Sequence, residues 1–254
     1  MIPIAQQQGE PLLLKREPVA GVAPHVQTLA RRKNTEYSIV PFGGGVLPNS
    51  RHIAELHAEL LPRSPLTKLG IGFMERFYYK QLPKQGLIFG AVAYVDGRPA
   101  GFVAATYDSD RLLRRAVRWN WLRLGWVLAT SLPRPKRLIG AAEGLGIFKS
   151  RERRADVQAG HNLGALTGEV LSIGVRRAFR STEFKIQTGL QIGRDLMFGV
   201  IAGFEKSQIV RARLIVDAKD LSGQGFFRGL GWEPRRRNVP GWWTASTEYL
   251  WIRR

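Results

Sequence analysis

The hydrophobic period of this chain switches from helical to alternating, and that switch constrains its fold more than any other feature. Residues 86–108, GLIFGAVAYVDGRPAGFVAATYD, hold two short apolar runs on either side of Asp96-Gly97. Asp-Gly supplies the left-handed backbone that a two-residue hairpin turn needs, so an antiparallel strand pair is expected here. Just upstream the spacing is different. SRHIAELHAELL (50–61) puts Ile53, Leu56, Leu60 and Leu61 on one face of a helix, with Asn49 or Ser50 available as its cap. SPLTKLGIGFMERFYYKQL continues as a second helical piece after Pro62 and Pro65, and NTEYSIVPF (34–42) alternates as a first strand should.

The second half of the chain repeats the mixture. GALTGEVLSIGV reads as a strand and TGLQIGRDLMFGVIAGFEKS, from Thr188, as a helix. IVRARLIVDA is again a strand, DLSGQGFFRGLGW a short helix ended by glycine, and GWWTASTEYLWIRR a closing strand. Strands interleaved with helices over 254 residues imply an α/β domain with one sizeable core. Residues 1–33 show no sustained period and are expected to form a loosely ordered extension, with the domain covering 34–254.

Several function classes are excluded or disfavoured. There is no Cys, hence no disulfide, thiolate metal site or cysteine nucleophile. No apolar run is long enough to span a bilayer. The N-terminus lacks the pattern of a secretory signal, so a cytoplasmic protein is expected. The four His do not show metal-ligand spacing: His52 and His57 are expected on the surface of their helix, and His161 lies in a Gly/Asn loop before the key strand, within reach of an acceptor site. With 39 basic and 20 acidic residues the net charge is +19, which favours polyanionic partners or a phosphorylated cofactor.

Two segments carry a family resemblance. RARLIVDAKDLSGQGFFRGLGWEP (211–234) has an apolar strand from Leu214 to Val216 and an acidic turn from Asp217 to Asp220. The aromatic pair Phe226 and Phe227 follows, then Leu230-Gly231-Trp232. It closely resembles the last conserved segment of the Gcn5-related N-acetyltransferase (GNAT) family. The stretch TGLQIGRDLM (188–197) resembles that family's acyl-CoA pyrophosphate loop, with Thr188, Gln191 and Gly193 at the three motif positions. From Gly193 to Arg213 is twenty residues, the helix-plus-turn length of such proteins. The resemblance implies a mixed, mostly antiparallel sheet flanked by helices, interrupted here by an insertion at 110–149. It also implies an acyl-CoA-dependent N-acyltransferase, most simply an acetyltransferase. Acetyl-CoA or another acyl-CoA would be the co-substrate, with no metal, and a small-molecule primary amine the acceptor.

The resemblance assigns roles. Thr188, Gly189, Leu190, Gln191, Ile192, Gly193 and Arg194 would cradle the pyrophosphate, since a helix start presents unpaired N–H groups and partial positive charge. Backbone groups of Ile173, Gly174 and Val175 would face the pantetheine arm, and Asp220 and Phe227 would complete the cofactor site. Glu169, six residues before Val175, stands where several members keep a general base. The alkyl ammonium, with a pKa near ~10, must lose a proton to react. The family's usual acid is a tyrosine, and Phe227 fills that place. Either the thiolate leaves unassisted or another tyrosine, Tyr249, serves. Two alternatives differ in class: an acyltransferase that draws a longer chain from an acidic acyl carrier protein, and a non-catalytic binding protein of the same fold.

In the insertion, Arg111, Arg114, Arg115, Arg118 and Arg123 alternate with Leu112, Leu113, Val117, Leu124 and Leu128, and Trp119, Trp121 and Trp126 lie among them. Basic and apolar residues so spaced fit a helix packed on the domain, an interfacial helix on an anionic membrane, or a dock for an acidic carrier protein through 111–137. Peripheral contact at the inner face of a membrane is therefore compatible with this segment. Nucleic acid is not expected, because the arginines match no reader motif and no aromatic residues alternate along a strand.

Overall fold

The computed structural model describes residues 27–32 (as backbone), 35–47, 49–112, 114–120, 167–239 and 245–253. They build one sheet of eight strands: β1 (Gln27–Arg32), β2 (Thr35–Phe42), β3 (Phe89–Val95), β4 (Arg98–Thr106), β5 (Thr167–Val175), β6 (Arg211–Asp217), β7 (Glu233–Arg237) and β8 (Ser246–Ile252). The order is β1-β2-β3-β4-β5-β6-β8-β7, and only β5 and β6 run parallel. This is the mixed, mostly antiparallel sheet that the sequence implied. The hairpin forms as expected, with Asp96 at φ 50° and Gly97 at φ 71°.

Helices cover both faces. On one face lie α1 (Ser50–Leu60), α2 (Pro65–Leu69), α3 (Ile71–Phe73, running into a π turn at Met74–Tyr78) and α4 (Gln81–Lys84), joined by a helix α5 over 114–120. Asn49 caps α1 by accepting from the N–H groups of Arg51 and His52. Ile53, Leu56, Met74, Tyr79 and Phe102 fill the core beneath. On the other face lie α6 (Thr182–Thr188), α7 (Ile192–Lys206) and α8 (Leu221–Gly229). Leu196, Met197, Val200 and Phe204 of α7 pack there on Val103, Val170, Ala212 and Leu214.

Two readings of the sequence need correction, and two elements had no reading. The sheet begins before residue 34, because Gln27–Arg32 pairs with β2. The stretch before Gly189 contains α6, whose cap Ser181 accepts from the Phe184 N–H at 3.1 Å. EPRRR forms a strand although all five residues are exposed. His57 is not on the surface: it is 1% exposed, with Nδ1 2.6 Å from the Tyr79 hydroxyl and Nε2 3.0 Å from Ser64 Oγ. Burial lowers its pKa to about 3. His161 and 121–149 lie outside the described residues. Among those described, no helix is long and apolar enough to cross a membrane.

Candidate active site

β5 and β6 pair only over Thr167–Val170 and Arg211–Leu214, and then they part. The cause lies in β5. Its register against β4 shifts between Ala104 and Ala105, because Ser172 faces Ala104 while Val170 faces Ala105. Leu171 is thus the extra residue of a bulge, which bends its strand. Beyond the bulge all of Leu171–Val175 is half-buried. A slot opens between this stretch and Ile215–Asp217.

The hydrogen-bond alternation of β5 decides what faces the slot. The Arg176 N–H donates to the Ala100 carbonyl at 2.9 Å, in the same register that pairs Val175 with Gly101. Antiparallel pairs alternate, so Gly174 and Ser172 spend their N–H and C=O on β4, while those of Ile173 and Val175 point into the slot. The sequence expectation for Ile173 and Val175 therefore has a geometric basis. Gly174 does not share that role, since its N–H and C=O go to β4; a Cβ there would lie 2.9 Å from Leu60 Cδ1, so its bareness instead lets α1 close on β5. Arg176 fixes that contact through Glu59 at 2.7 Å and the Pro99 carbonyl at 2.7 Å.

The stretch 188–194 divides between two helices. Thr188 ends α6, where its hydroxyl donates to the Phe184 carbonyl and accepts from the Leu190 N–H. Gly189, at φ 69°, makes the left-handed cap between the helices. Leu190 and Ile192 are buried anchors. Gln191 precedes α7 and offers no side-chain cap, so the first-turn N–H groups of a 15-residue helix are left for another partner. At Gly193 a Cβ would meet Phe226 Cζ at 3.4 Å and Val175 Cγ2 at 3.7 Å, an ordinary contact. Packing alone does not demand a glycine there, while close approach of a phosphate would. Arg177, Arg180, Lys185 and Arg194 are exposed nearby. Arg194 also lies over the Phe198 ring, 5.0 Å from its centroid.

Of the aromatic pair, Phe226 reaches the open end of the slot. Phe227 is 6% exposed and packs between Trp232 and Tyr249. Tyr249 is fully buried beside it, its hydroxyl donating to Gln224 at 3.3 Å. Both thus sit in the core under β8, away from the slot surface where the sequence reading put them. Asp220 caps α8, accepting from the Gly223 N–H at 2.8 Å, so its carboxylate already serves the helix.

Glu169 lies at the vertex, 1% exposed, on the face away from α7. Arg213, directly across the parallel pair, donates to it at 3.1 Å and to Asp110 at 3.4 Å. Burial works to lower the Arg213 pKa, but Glu169, Asp110 and Glu248 outweigh it. Burial raises the Asp110 carboxyl above its ordinary range, against the pull of Arg213. Sequence reasoning missed Arg213, Asp110 and Phe226. A signal existed for the first: in RARLIVD, Arg211 and Arg213 occupy alternate positions and so share one face.

No protein-family model and no curated protein matches the chain. Solved structures do align with it. NAA60 of Arabidopsis thaliana in complex with a bisubstrate analogue is 13% identical, covering 84% of this chain and 97% of that one, with a TM-score of 0.49. A mutant of agmatine N-acetyltransferase in its apo form is 15% identical, covering 86% and 100%, with a TM-score of 0.49. PaiA N-acetyltransferase of Thermoplasma acidophilum in complex with coenzyme A is 12% identical, covering 85% and 99%, with a TM-score of 0.45. The sheet is mixed and mostly antiparallel with helices on both faces, as the resemblance in the sequence implied.

Proposed function

We propose that the protein is a divergent Gcn5-related N-acyltransferase, most simply an acetyltransferase, which moves an acyl group from a CoA thioester to the primary amine of a small molecule by direct attack. One observation carries the reading. The bulge at Leu171 turns the N–H groups of Ile173 and Val175 into a slot that ends at the uncapped first turn of α7. An extended pantetheine arm needs such strand-edge groups, and a pyrophosphate needs such a helix start. Acyl-CoA, when bound, supplies the activated carbonyl and a thiolate leaving group.

The residues divide the work. The Ile173 N–H is aimed where negative charge develops on the carbonyl oxygen as nitrogen attacks. Glu169, paired with Arg213 at 3.1 Å, draws the ammonium toward the vertex, where it first gives up a proton to solvent, because only the neutral amine has the lone pair that attacks. Glu169 accepts the second proton as the neutral amine forms the C–N bond and its nitrogen becomes acidic. The C–S bond then breaks and the proton is returned to sulfur. With Phe227 and Tyr249 enclosed in the core, departure of the thiolate without a tyrosine acid is the simpler route, since a thiol pKa near ~8.5 makes it a tolerable leaving group.

Native mass spectrometry with acetyl-CoA tests the reading. The wild type should retain it, and Gly193→Asp, which sets a carboxylate against phosphate, should lose affinity by at least about tenfold, near 1.4 kcal/mol. Equal retention by both would remove the slot from consideration.

A further inference from the structure

The face of the sheet opposite α7 holds a depression of about 200 Å³, lined by Thr167, Arg211, Arg235, Glu248, Leu250 and Ile252 with Arg213 beneath. Strand register arranges these residues in levels. Thr167, Arg211 and Ile252 form the outermost, Glu169, Arg213 and Leu250 the next, and Ile215 with Glu248 the third.

Charge is distributed unevenly across the levels. Around the buried guanidinium of Arg213 stand three carboxylates, Glu169, Asp110 and Glu248. That inner group carries an excess of negative charge suited to an ammonium. At the outer level the sign reverses. Arg211 is exposed, and Arg235 is the bulged residue of β7, extra between Pro234 and Arg236, which swings it over the same depression. Neither makes an ion pair among the described residues. Two residues of strand separate the levels, roughly 7 Å. Leu250 and Ile252 give the space between an apolar floor that a short methylene chain would cover.

We infer that the acceptor is an amine which also carries an anionic group, a carboxylate or a phosphate. Its ammonium lies toward Glu169 and Asp110, and its anion is held by Arg211 and Arg235. The direction of the amine rests on the acyl-transfer reading of the slot; the preference for an anion rests on the arginines alone. Guanidinium groups suit either anion, through charge-assisted and two-pronged hydrogen bonds.

Binding by isothermal titration calorimetry separates these claims. The probes are 5-aminopentanoate, 5-aminopentyl phosphate, pentylamine and pentanoate, against the wild type and the double variant Arg211→Gln/Arg235→Gln, with CoA titrated into both. Both arginines are exposed, so the variant should fold normally. The aminated anions should bind about tenfold or more tightly than pentylamine or pentanoate, and the tighter of the two identifies the natural anion. In the variant that advantage should vanish, with pentylamine and CoA binding unchanged. If pentanoate matches 5-aminopentanoate, the basic surface attracts anions without selection and the inference falls. It falls too if the advantage survives in the variant, or if CoA binds while no probe shows a preference. Should CoA fail to bind the wild type while the aminated anions keep their advantage, the acyl-transfer reading fails and the pocket stands.

Discussion

Single residues in this protein are explained by what they touch. His57, read from sequence as a surface group, lies four positions after Ile53 on the inner face of α1, so its environment is core. Buried and depressed to a pKa of about 3, it stays neutral in the folded chain, whereas the unfolded chain protonates it near ~6.5. The unfolded state therefore binds more protons between these values. Stability from this residue is complete above the upper value and is lost as pH falls toward the lower, by about 1.4 kcal/mol per pH unit. Urea unfolding across that range should show the slope, and His57→Gln should flatten it. Glu169→Gln examines the vertex. It preserves size while removing basicity, so turnover should drop about a hundredfold, with CoA affinity unaltered. Wild-type turnover in that variant would hand the proton to water or to the substrate itself.

At the scale of elements, most of the sheet was legible because its strands announce themselves. The Asp96-Gly97 turn, the alternation in β2 and the apolar run of β6 all form where the residues predict. What stayed hidden has physical reasons. β7 is exposed at every position, so it has no inner and outer pattern to read. α6 is short, with only Thr188 buried, and so shows no apolar stripe. The slot could not be seen either: β5 is continuous in sequence, and a bulge at Leu171 exists only relative to β4. For the same reason Phe227, given a place in the cofactor site from sequence, lies in the core, since facing is a matter of packing. Contact between α1 and β5 gives a sharp test. Gly174→Ala forces a Cβ against Leu60 and should cost about 1–3 kcal/mol in chemical denaturation, as overpacking does. Leu60→Ala in the same chain should recover part of that loss.

For the whole molecule, the +19 charge has to be weighed against where the apolar residues go. In and just before α5, Leu112, Ala116 and Asn120 are buried against the domain, with Asn120 bonded to Gln85. Val117 and Trp119 are exposed beside Arg114 and Arg118. One face is thus committed to the core, and Val117 and Trp119 stand exposed on the other. Vesicle sedimentation should show binding to anionic lipid that salt weakens, with each arginine near the surface adding about 1 kcal/mol. Changing Trp119, Trp121 and Trp126 together to Ser keeps the charge, and undiminished binding by that variant would leave bulk electrostatics as the whole explanation. The splay itself has a mechanical meaning. Val175 is tied to β4 and, through Arg176 and Glu59, to α1, so one jaw of the slot is stiff. The other jaw, β6 with β8 and β7, meets it along four residue pairs only. Four pairs make a hinge, and the Phe226 ring lies beside Gly193 at its far end. The gape of the slot, and with it the thickness of any chain laid inside, follows from how far β5 bends away after Leu171.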